Sequence, residues 1–207
     1  MIPWVLASES PRRQVLLRLL GQPFEIHPAC IEERLPPFTA APSRLAKQLA
    51  RAKAETIAPA YADALIIAAD TLVVLNKQVL GKPETIEEAR QMLRLLSGKT
   101  HTVITALCLL LRQGGTTHRI TLDAPRTHVT FRPLTDEWID WYISTGEPFD
   151  KAGAYGIQEY GALLVERVQG DYFNVVGLPL PTLVRRLEEL IGWRPYTVTT
   201  TCCTSDT

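Results

Sequence analysis

The chain has 207 residues with 22 basic and 22 acidic side chains, 46% hydrophobic residues and a formal net charge of zero at pH 7. This balance argues against a general nucleic-acid binder, and no apolar run approaches the roughly 20 residues that cross a bilayer. We therefore expect one domain over residues 1–192, with no nucleic-acid or membrane partner. The segment 193–207 lacks a periodic apolar face, so we expect a mobile C-terminal tail there.

The cellular compartment is indicated by the N-terminus and the cysteines. The first residues contain no basic segment followed by a long apolar stretch, which is the pattern of a secretory signal. Cys30, Cys108, Cys202 and Cys203 lack the spacing of a disulfide scaffold or a zinc site. We expect free thiols and a cytoplasmic protein.

Predicted strands and helices alternate from the start of the chain. A short apolar strand over Trp4–Ala7 leads into a helix that Ser10 and Pro11 begin and Gly21 ends. The following elements are a strand over Glu25–Ala29, a helix from Ser43 to about Ala60, and a buried strand over Leu65–Ala69 that ends at Asp70.

The second half of the chain adds hairpins. The predicted elements are a tight hairpin at Asn76-Lys77, a helix from Thr85 to Leu96, a long hairpin with arms over Thr102–Arg112 and Thr117–Arg132, a helix over Thr135–Ser144, a strand over Ala162–Val168 and a helix over Pro181–Ile191. Helices and strands interleave, and hairpins are present. The order predicts an α/β fold with a mixed sheet and flanking helices.

The first candidate site is the strand-to-helix junction Ser8-Glu9-Ser10-Pro11-Arg12-Arg13. A helix N-terminus attracts phosphate, and two hydroxyls with two guanidiniums would add donors. The alternative is that Ser10 only caps the helix and both arginines are solvated.

The second candidate is Asp70-Thr71, which follows a buried strand. A carboxylate there can reach a cleft and bind a divalent metal or deprotonate a water. The alternative is an ordinary turn or helix-capping aspartate.

Three weaker candidates have both functional and structural interpretations. Gly81-Lys82-Pro83 offers an ammonium for phosphate but is not a P-loop, and Gln158 in the loop Asp150–Gln158 could read a base edge or simply lie in a turn. Glu33 could add a carboxylate to a magnesium site, while Lys53 could equally lie on a solvated helix face. The four histidines, His27, His101, His118 and His128, lack metal-ligand spacing and are interpreted as structural.

Taken together, these segments resemble the Maf family of nucleotide pyrophosphatases. The resemblance covers the chain up to about residue 192. It lies in Leu6-Ala7-Ser8-Glu9-Ser10-Pro11-Arg12-Arg13, Leu49-Ala50-Arg51-Ala52-Lys53-Ala54, Ala68-Ala69-Asp70-Thr71, Gly81-Lys82-Pro83, Leu96-Ser97-Gly98-Lys99-Thr100-His101, Gly146-Glu147-Pro148, Asp150-Lys151-Ala152-Gly153-Ala154-Tyr155-Gly156-Ile157-Gln158 and Asn174-Val175-Val176-Gly177-Leu178-Pro179-Leu180.

The resemblance implies a Maf/ITPase-like fold with two lobes around a central cleft, often assembled as a homodimer. It also implies hydrolysis of a nucleoside triphosphate between its α and β phosphates, dependent on Mg²⁺ or Mn²⁺. By matching positions, Asp70 would be the proton acceptor and would share the metal with Glu33. The phosphates would be held by Ser8, Ser10, Arg13, Lys53 and Lys82, and base preference would depend on Arg12, Thr71 and Gln158.

Within the family, Arg12, Thr71 and Gln158 resemble the branch that acts on dTTP and UTP. This implies a house-cleaning role in the nucleotide pool that could extend to modified pyrimidine nucleotides. Two alternatives stay open at this point: the 7-methyl-GTP branch of the same family, and a non-catalytic nucleotide-binding regulator of cell division. Glu159-Tyr160 departs from the family pattern, in which glycine usually follows the glutamine.

Overall fold

A computed structural model describes residues 2–31 and 35–195 of the chain. The strands are Trp4–Leu6 (β1), Phe24–Ile26 (β2), Ala64–Leu75 (β3), Gln78–Leu80 (β4), Thr100–Gln113 (β5), Thr116–Asp123 (β6), Arg126–Phe131 (β7) and Val165–Gln169 (β8). The helices are Pro11–Arg18 (α1), Pro42–Ile57 (α2), Ile86–Leu96 (α3), Asp136–Ser144 (α4), Tyr172–Val176 (α5) and Leu180–Ile191 (α6). Short 3-10 segments lie at Ala58–Ala60, Glu147–Asp150, Ala152–Ala154 and Glu159–Leu164.

Local sequence signals form the expected elements. Thr85 caps α3, because its hydroxyl accepts a hydrogen bond from the main-chain N–H of Glu88 at 3.1 Å. Asn76 and Lys77 turn the β3–β4 hairpin with φ values of 50° and 70°, as a two-residue hairpin turn requires. Both signals can be recognised directly in the sequence.

The centre of the fold is a long antiparallel pair made by β3 and β5. The two strands pair from Ala64–Arg112 to Val74–Thr102. The sheet order is β2-β1-β3-β5-β7-β8, with β4 on the outer edge of β3 and β6 on the outer edge of β5. Since β2, β1 and β3 are parallel and the rest antiparallel, the expected mixed sheet is confirmed.

The long pair passes through two lobes. In one lobe, β1 flanks β3 at Leu65–Ile67 and β6 flanks β5, and the side chains pack against α1, α2 and α6. In the other, β4 flanks β3 at Val73–Leu75 and β7 flanks β5, with α3 and α4 closing the core. Between the lobes, the outer edge of β3 has no flanking strand among the described residues, and this gap opens the cleft.

Three sequence-based element predictions need correction. Asp70 lies within β3 and not after it, because the strand continues through the cleft to Leu75. The predicted arm over residues 117–132 is two strands, because extended structure is interrupted at residues 124–125 and β7 pairs with a different part of β5 than β6 does. The predicted strand over Ala162–Val168 begins as a 3-10 segment and becomes extended only at Val165, and the five-residue helix α5 was not predicted.

The C-terminal boundary is set by packing. Trp193, the first residue of the expected tail, is 9% exposed, and its ring centroid lies 5.7 Å from that of Trp4. It therefore belongs to the core beside β1. Residues 196–207, with Cys202 and Cys203, lie outside the described residues. Among the helices described here, none combines the length and apolar character needed to span a bilayer.

Candidate active site

Eight of the residues predicted from the sequence line one cleft between the lobes. They are Ser10, Arg12, Arg13, Lys53, Asp70, Thr71, Lys82 and Gln158. A ninth, Ser8, lines the adjoining mouth of the cleft with Lys53 and Lys82. Glu33, the predicted second metal ligand, falls outside the described residues. The structure therefore brings together residues that are far apart in the chain, and their individual roles stay predictions.

The start of α1 supplies two arginines with fixed orientations. Arg13 donates from Nε to the carbonyl oxygen of Gly177 at 2.8 Å and from its terminal nitrogens to Ser8 Oγ at 3.2 Å and Thr71 Oγ1 at 3.1 Å. Arg12 donates a hydrogen bond at 2.8 Å to Asp150, which lies on the opposite wall of the cleft. Neither arginine has the purely solvated position that was the alternative. Ser10 makes no capping bond through its side chain, so capping does not explain it either.

A buried ion pair lies at the bottom of the cleft. Lys53 and Asp70 are 8% and 3% exposed, and Lys53 Nζ lies 2.5 Å from Asp70 Oδ1. Lys53 is on the face of α2 that packs on the sheet, one helical turn from Ala50 and Ile57. The alternative of a solvated Lys53 is therefore wrong, and so is the interpretation of Asp70 as a turn or capping residue.

The opposite wall is the loop that carries Gln158, and Glu147 anchors this loop. The Glu147 carboxylate accepts from the hydroxyl of Tyr142 at 3.1 Å and from the main-chain N–H of Tyr160 at 3.1 Å. The Tyr142 hydroxyl in turn accepts from Gly156 N at 3.2 Å. Gln158 lines the cleft, and no hydrogen bond from its side chain to another described residue is present. Its amide is thus available to a ligand.

Charge on this wall is fixed by Asp150. Burial raises its pKa, but hydrogen bonds from Lys151 and Arg12 outweigh burial and hold the pKa below its ordinary value. Each oxygen of the carboxylate binds one cation, Lys151 at 2.6 Å and Arg12 at 2.8 Å. Asp150 therefore stays ionised at neutral pH and holds the two walls together across the cleft.

Three lining residues were not singled out from the sequence. Asp150 and Lys151 belong to the predicted loop, but only the fold shows that they pair across the cleft with Arg12. Tyr155 lies behind them, and burial raises the pKa of its hydroxyl. The available signal was an acidic and a basic residue followed by small residues and two glycines, and it does not identify a partner that lies 138 residues away.

Comparison with known proteins supplies independent information. The family model described as Maf-like protein matches residues 3–190. A protein of Halalkalibacterium halodurans named dTTP/UTP pyrophosphatase is 50% identical over 188 residues, covering 91% of this chain and 96% of that protein. One of the same name from Moorella thermoacetica is 50% identical and covers 91% and 93%, and one from Bacillus cytotoxicus is 44% identical and covers 91% and 96%.

A solved structure supports the fold. A HAM1 protein from Coxiella burnetii aligns with a TM-score of 0.52 at 15% sequence identity, covering 91% of this chain and all of that one. At this identity the similarity concerns the architecture alone. The expected arrangement of a mixed sheet with flanking helices is confirmed.

Proposed function

Because the chain belongs to the Maf family, we propose that it is a nucleoside triphosphate pyrophosphatase that hydrolyses dTTP and UTP to the monophosphate and pyrophosphate. The observation that carries the proposal is the buried Lys53–Asp70 pair in a cleft lined with cationic side chains. A carboxylate that is 3% exposed and oriented by an ammonium, in a cleft lined with cations, can orient the attacking water and take its proton.

The cleft is suited to a polyphosphate. Arg12, Arg13, Lys53 and Lys82 all line it, together with the start of α1. Cationic groups and a helix N-terminus offset the charge of a triphosphate, and fixed guanidiniums stabilise charge that develops on the leaving group. In the reaction, a water oxygen bonds to the α phosphorus, the bond to the bridging oxygen breaks, and pyrophosphate leaves.

We propose that a divalent cation accompanies the nucleotide in this cleft. Among residues 2–31 and 35–195, no group of three acidic, histidine or cysteine side chains forms a complete metal cage. Mg²⁺ commonly needs only one or two carboxylates together with substrate phosphates and waters. We expect Asp70 and Glu33 to hold the ion, which when bound would neutralise phosphate charge and acidify a water.

Asp70 has two proposed roles, as metal ligand and as proton acceptor. Lys53 orients its Oδ1 by direct hydrogen bonding, so the carboxylate keeps one direction in the cleft. Arg13 and Lys82 bind and orient the phosphate chain. Tyr155 and the loop that Glu147 anchors close the wall opposite Asp70 and limit the access of water.

Pyrimidine preference is assigned to Arg12, Thr71 and Gln158. An amide side chain offers one acceptor and one donor side by side, which complements the N3–H and a neighbouring carbonyl of uracil or thymine. Arg12 lies across the cleft from the Gln158 loop, and Asp150 sets its direction. The aliphatic walls at Val73, Val103 and Ile157 would contact the flat faces of the base.

The setting of this activity is also proposed. We expect a homodimer in the cytoplasm that removes unwanted pyrimidine nucleotides from the nucleotide pool. This expectation is supported by the family to which the chain belongs.

The proposal is tested by pyrophosphate release from dTTP, UTP, CTP, GTP and 7-methyl-GTP, each with and without magnesium. We expect metal-dependent release that is strongest with dTTP and UTP. Activity with 7-methyl-GTP alone would support the proposed release of pyrophosphate but contradict the proposed pyrimidine preference. A folded protein that releases no pyrophosphate from any of them would favour a nucleotide-binding regulator instead.

A further inference from the structure

Asn174, in the short helix α5, fills a gap in the sheet. The strand β5 pairs with β7 up to Ile104 and with β6 only from Leu107, so the edge of β5 that faces away from β3 has no strand partner at Thr105 among the described residues. Asn174 is 0% exposed and fills this position. Its Oδ1 accepts from Thr105 N at 2.9 Å, and its Nδ2 donates to the carbonyl oxygen of Val103 at 3.0 Å.

In the hydrogen bonds that connect Asn174 to Arg13 through Thr105 and Thr71, each donor and acceptor can be assigned. The Thr105 hydroxyl donates its single proton to the main-chain carbonyl oxygen of Asn174 at 2.6 Å. The Thr71 hydroxyl, 2.9 Å from Thr105 Oγ1, must therefore be the donor in that contact. Thr71 Oγ1 then uses a lone pair to accept from Arg13 at 3.1 Å. A chain of hydrogen bonds thus runs from buried Asn174 to the guanidinium in the cleft.

The same short helix also holds Arg13 directly. The carbonyl oxygen of Gly177, which follows α5, accepts from Arg13 Nε at 2.8 Å. Gly177 has a φ of 119°, a conformation that side chains other than glycine rarely adopt. The guanidinium is therefore held at Nε by Gly177 and at a terminal nitrogen by the chain that begins at Asn174.

We propose that Thr105 and Asn174 are positioning residues that fix Arg13 for binding the polyphosphate of the substrate, an inference that rests on the proposed function. Both side chains are 0% exposed, so neither contacts the substrate. Their effect passes through Thr71 to Arg13. A guanidinium binds phosphate best when its planar fork is already oriented, because less side-chain entropy is then lost on binding.

The test compares Thr105→Val with Thr105→Ser, using inorganic tripolyphosphate as a ligand that has no base. Valine keeps the shape of threonine but loses the hydroxyl, so Thr71 loses the acceptor that fixes its direction. We expect the dissociation constant of tripolyphosphate, measured by calorimetry, to rise roughly tenfold in Thr105→Val, the size of effect that a lost buried hydrogen bond has. Thr105→Ser keeps the hydroxyl and should bind like the wild type.

Kinetics with UTP provide the second readout. We expect the KM for UTP to rise in Thr105→Val in parallel with the loss of tripolyphosphate affinity. In Thr105→Ser the KM should stay close to the wild-type value. A folded Thr105→Val protein that binds tripolyphosphate as tightly as the wild type would overturn the positioning role. If Thr105→Val does not fold, the same comparison is made with Thr105→Ala, which also lacks the hydroxyl and has a smaller side chain. Unchanged affinity in folded Thr105→Ala would overturn the role equally.

The outcomes separate this inference from the proposed function. Hydrolysis of UTP by the wild type, with unchanged tripolyphosphate affinity in Thr105→Val, contradicts the positioning role alone. A wild-type protein that neither binds tripolyphosphate nor releases pyrophosphate from UTP contradicts both.

Discussion

At the scale of single residues, the bottom of the cleft depends on two buried charged side chains that pair with each other. Lys53 and Asp70 pair with one another in the cleft that Arg12 and Arg13 also line. Removing one member of a buried ion pair leaves the other uncompensated, which typically costs about 3–5 kcal/mol. Substitutions that keep a hydrogen-bonding atom in place are therefore the informative ones.

His101 makes a pH-dependent contribution to stability. It is 2% exposed, its Nε2 lies 2.7 Å from the Tyr155 hydroxyl, and its imidazole ring contacts the rings of Phe131 and Tyr155 edge to face. Its Nδ1 has no hydrogen-bond partner among the described residues. Burial lowers the pKa of His101 to about 4.

We expect the free energy of unfolding to fall as the pH drops from about 6.5 to about 4, because the unfolded chain binds a proton that folded His101 excludes. The loss from this group is about 3 kcal/mol at its full extent. Urea titrations of the wild type and His101→Gln across this range measure it. The variant should have a flatter pH dependence, while exposed His118→Gln should follow the wild type. An equally steep dependence in His101→Gln would rule out this origin.

At the scale of elements, the loop carrying Gln158 is held by close packing at two glycines. A Cβ on Gly161 would lie 1.9 Å from the carbonyl oxygen of Gly156 and 2.9 Å from the Tyr142 hydroxyl. The adjacent Glu159 adopts a φ of 51°, an unusual conformation for a residue with a side chain. Glu147 then fixes the loop by accepting from Tyr160 N.

We expect Gly161→Ala to displace the segment from Gly156 to Gln158, because the added methyl group cannot be accommodated without moving the main chain. The stability should fall by about 1–3 kcal/mol, as is usual for overpacking. The ratio of activity on UTP to activity on GTP should fall as well. Thermal unfolding and steady-state kinetics measure both effects, and Ala162→Ser at the exposed neighbouring position is the control. Wild-type stability and base preference in Gly161→Ala would show that the loop tolerates the shift.

Local signals made most elements predictable from sequence. Caps, turn residues and apolar periodicity act over a few residues, so α3 and the hairpin at Asn76-Lys77 were predicted correctly. The continuation of β3 through Asp70 was not, because a polar residue inside an apolar run resembles the end of a strand. Only its pairing with β5 over the whole length keeps the strand extended. The helix α5 is short, and its stabilising contacts with β5 and β7 are distant in sequence.

The candidate site was predictable in composition but not in connectivity. The matching positions of a family resemblance identified nine residues that the fold brings to the cleft and its mouth. The resemblance did not indicate that Thr71 contacts Arg13 or that Arg12 pairs with Asp150. Such contacts depend on the angle between lobes that are joined by two long strands, and no local pattern encodes this angle.

At the scale of the whole molecule, the cleft follows from how the sheet is assembled. Strands β3 and β5 are long enough to belong to both lobes, while every flanking strand belongs to one. Asp70 and Thr71 lie where the flanking strands change. The rigid pair of strands thus presents them to a space that the lobes leave open, and residues from both lobes converge there.

The most direct test of the account compares pyrophosphate release from UTP, with magnesium, by the wild type and by Asp70→Asn. Asparagine keeps the size of the side chain and an oxygen for Lys53 but removes the negative charge, so the fold should persist at lower stability, as circular dichroism and thermal unfolding would show. We expect turnover to fall by about 10²–10⁴-fold, the contribution of a positioned general base. A folded Asp70→Asn protein that releases pyrophosphate at close to the wild-type rate would contradict the central role given to Asp70.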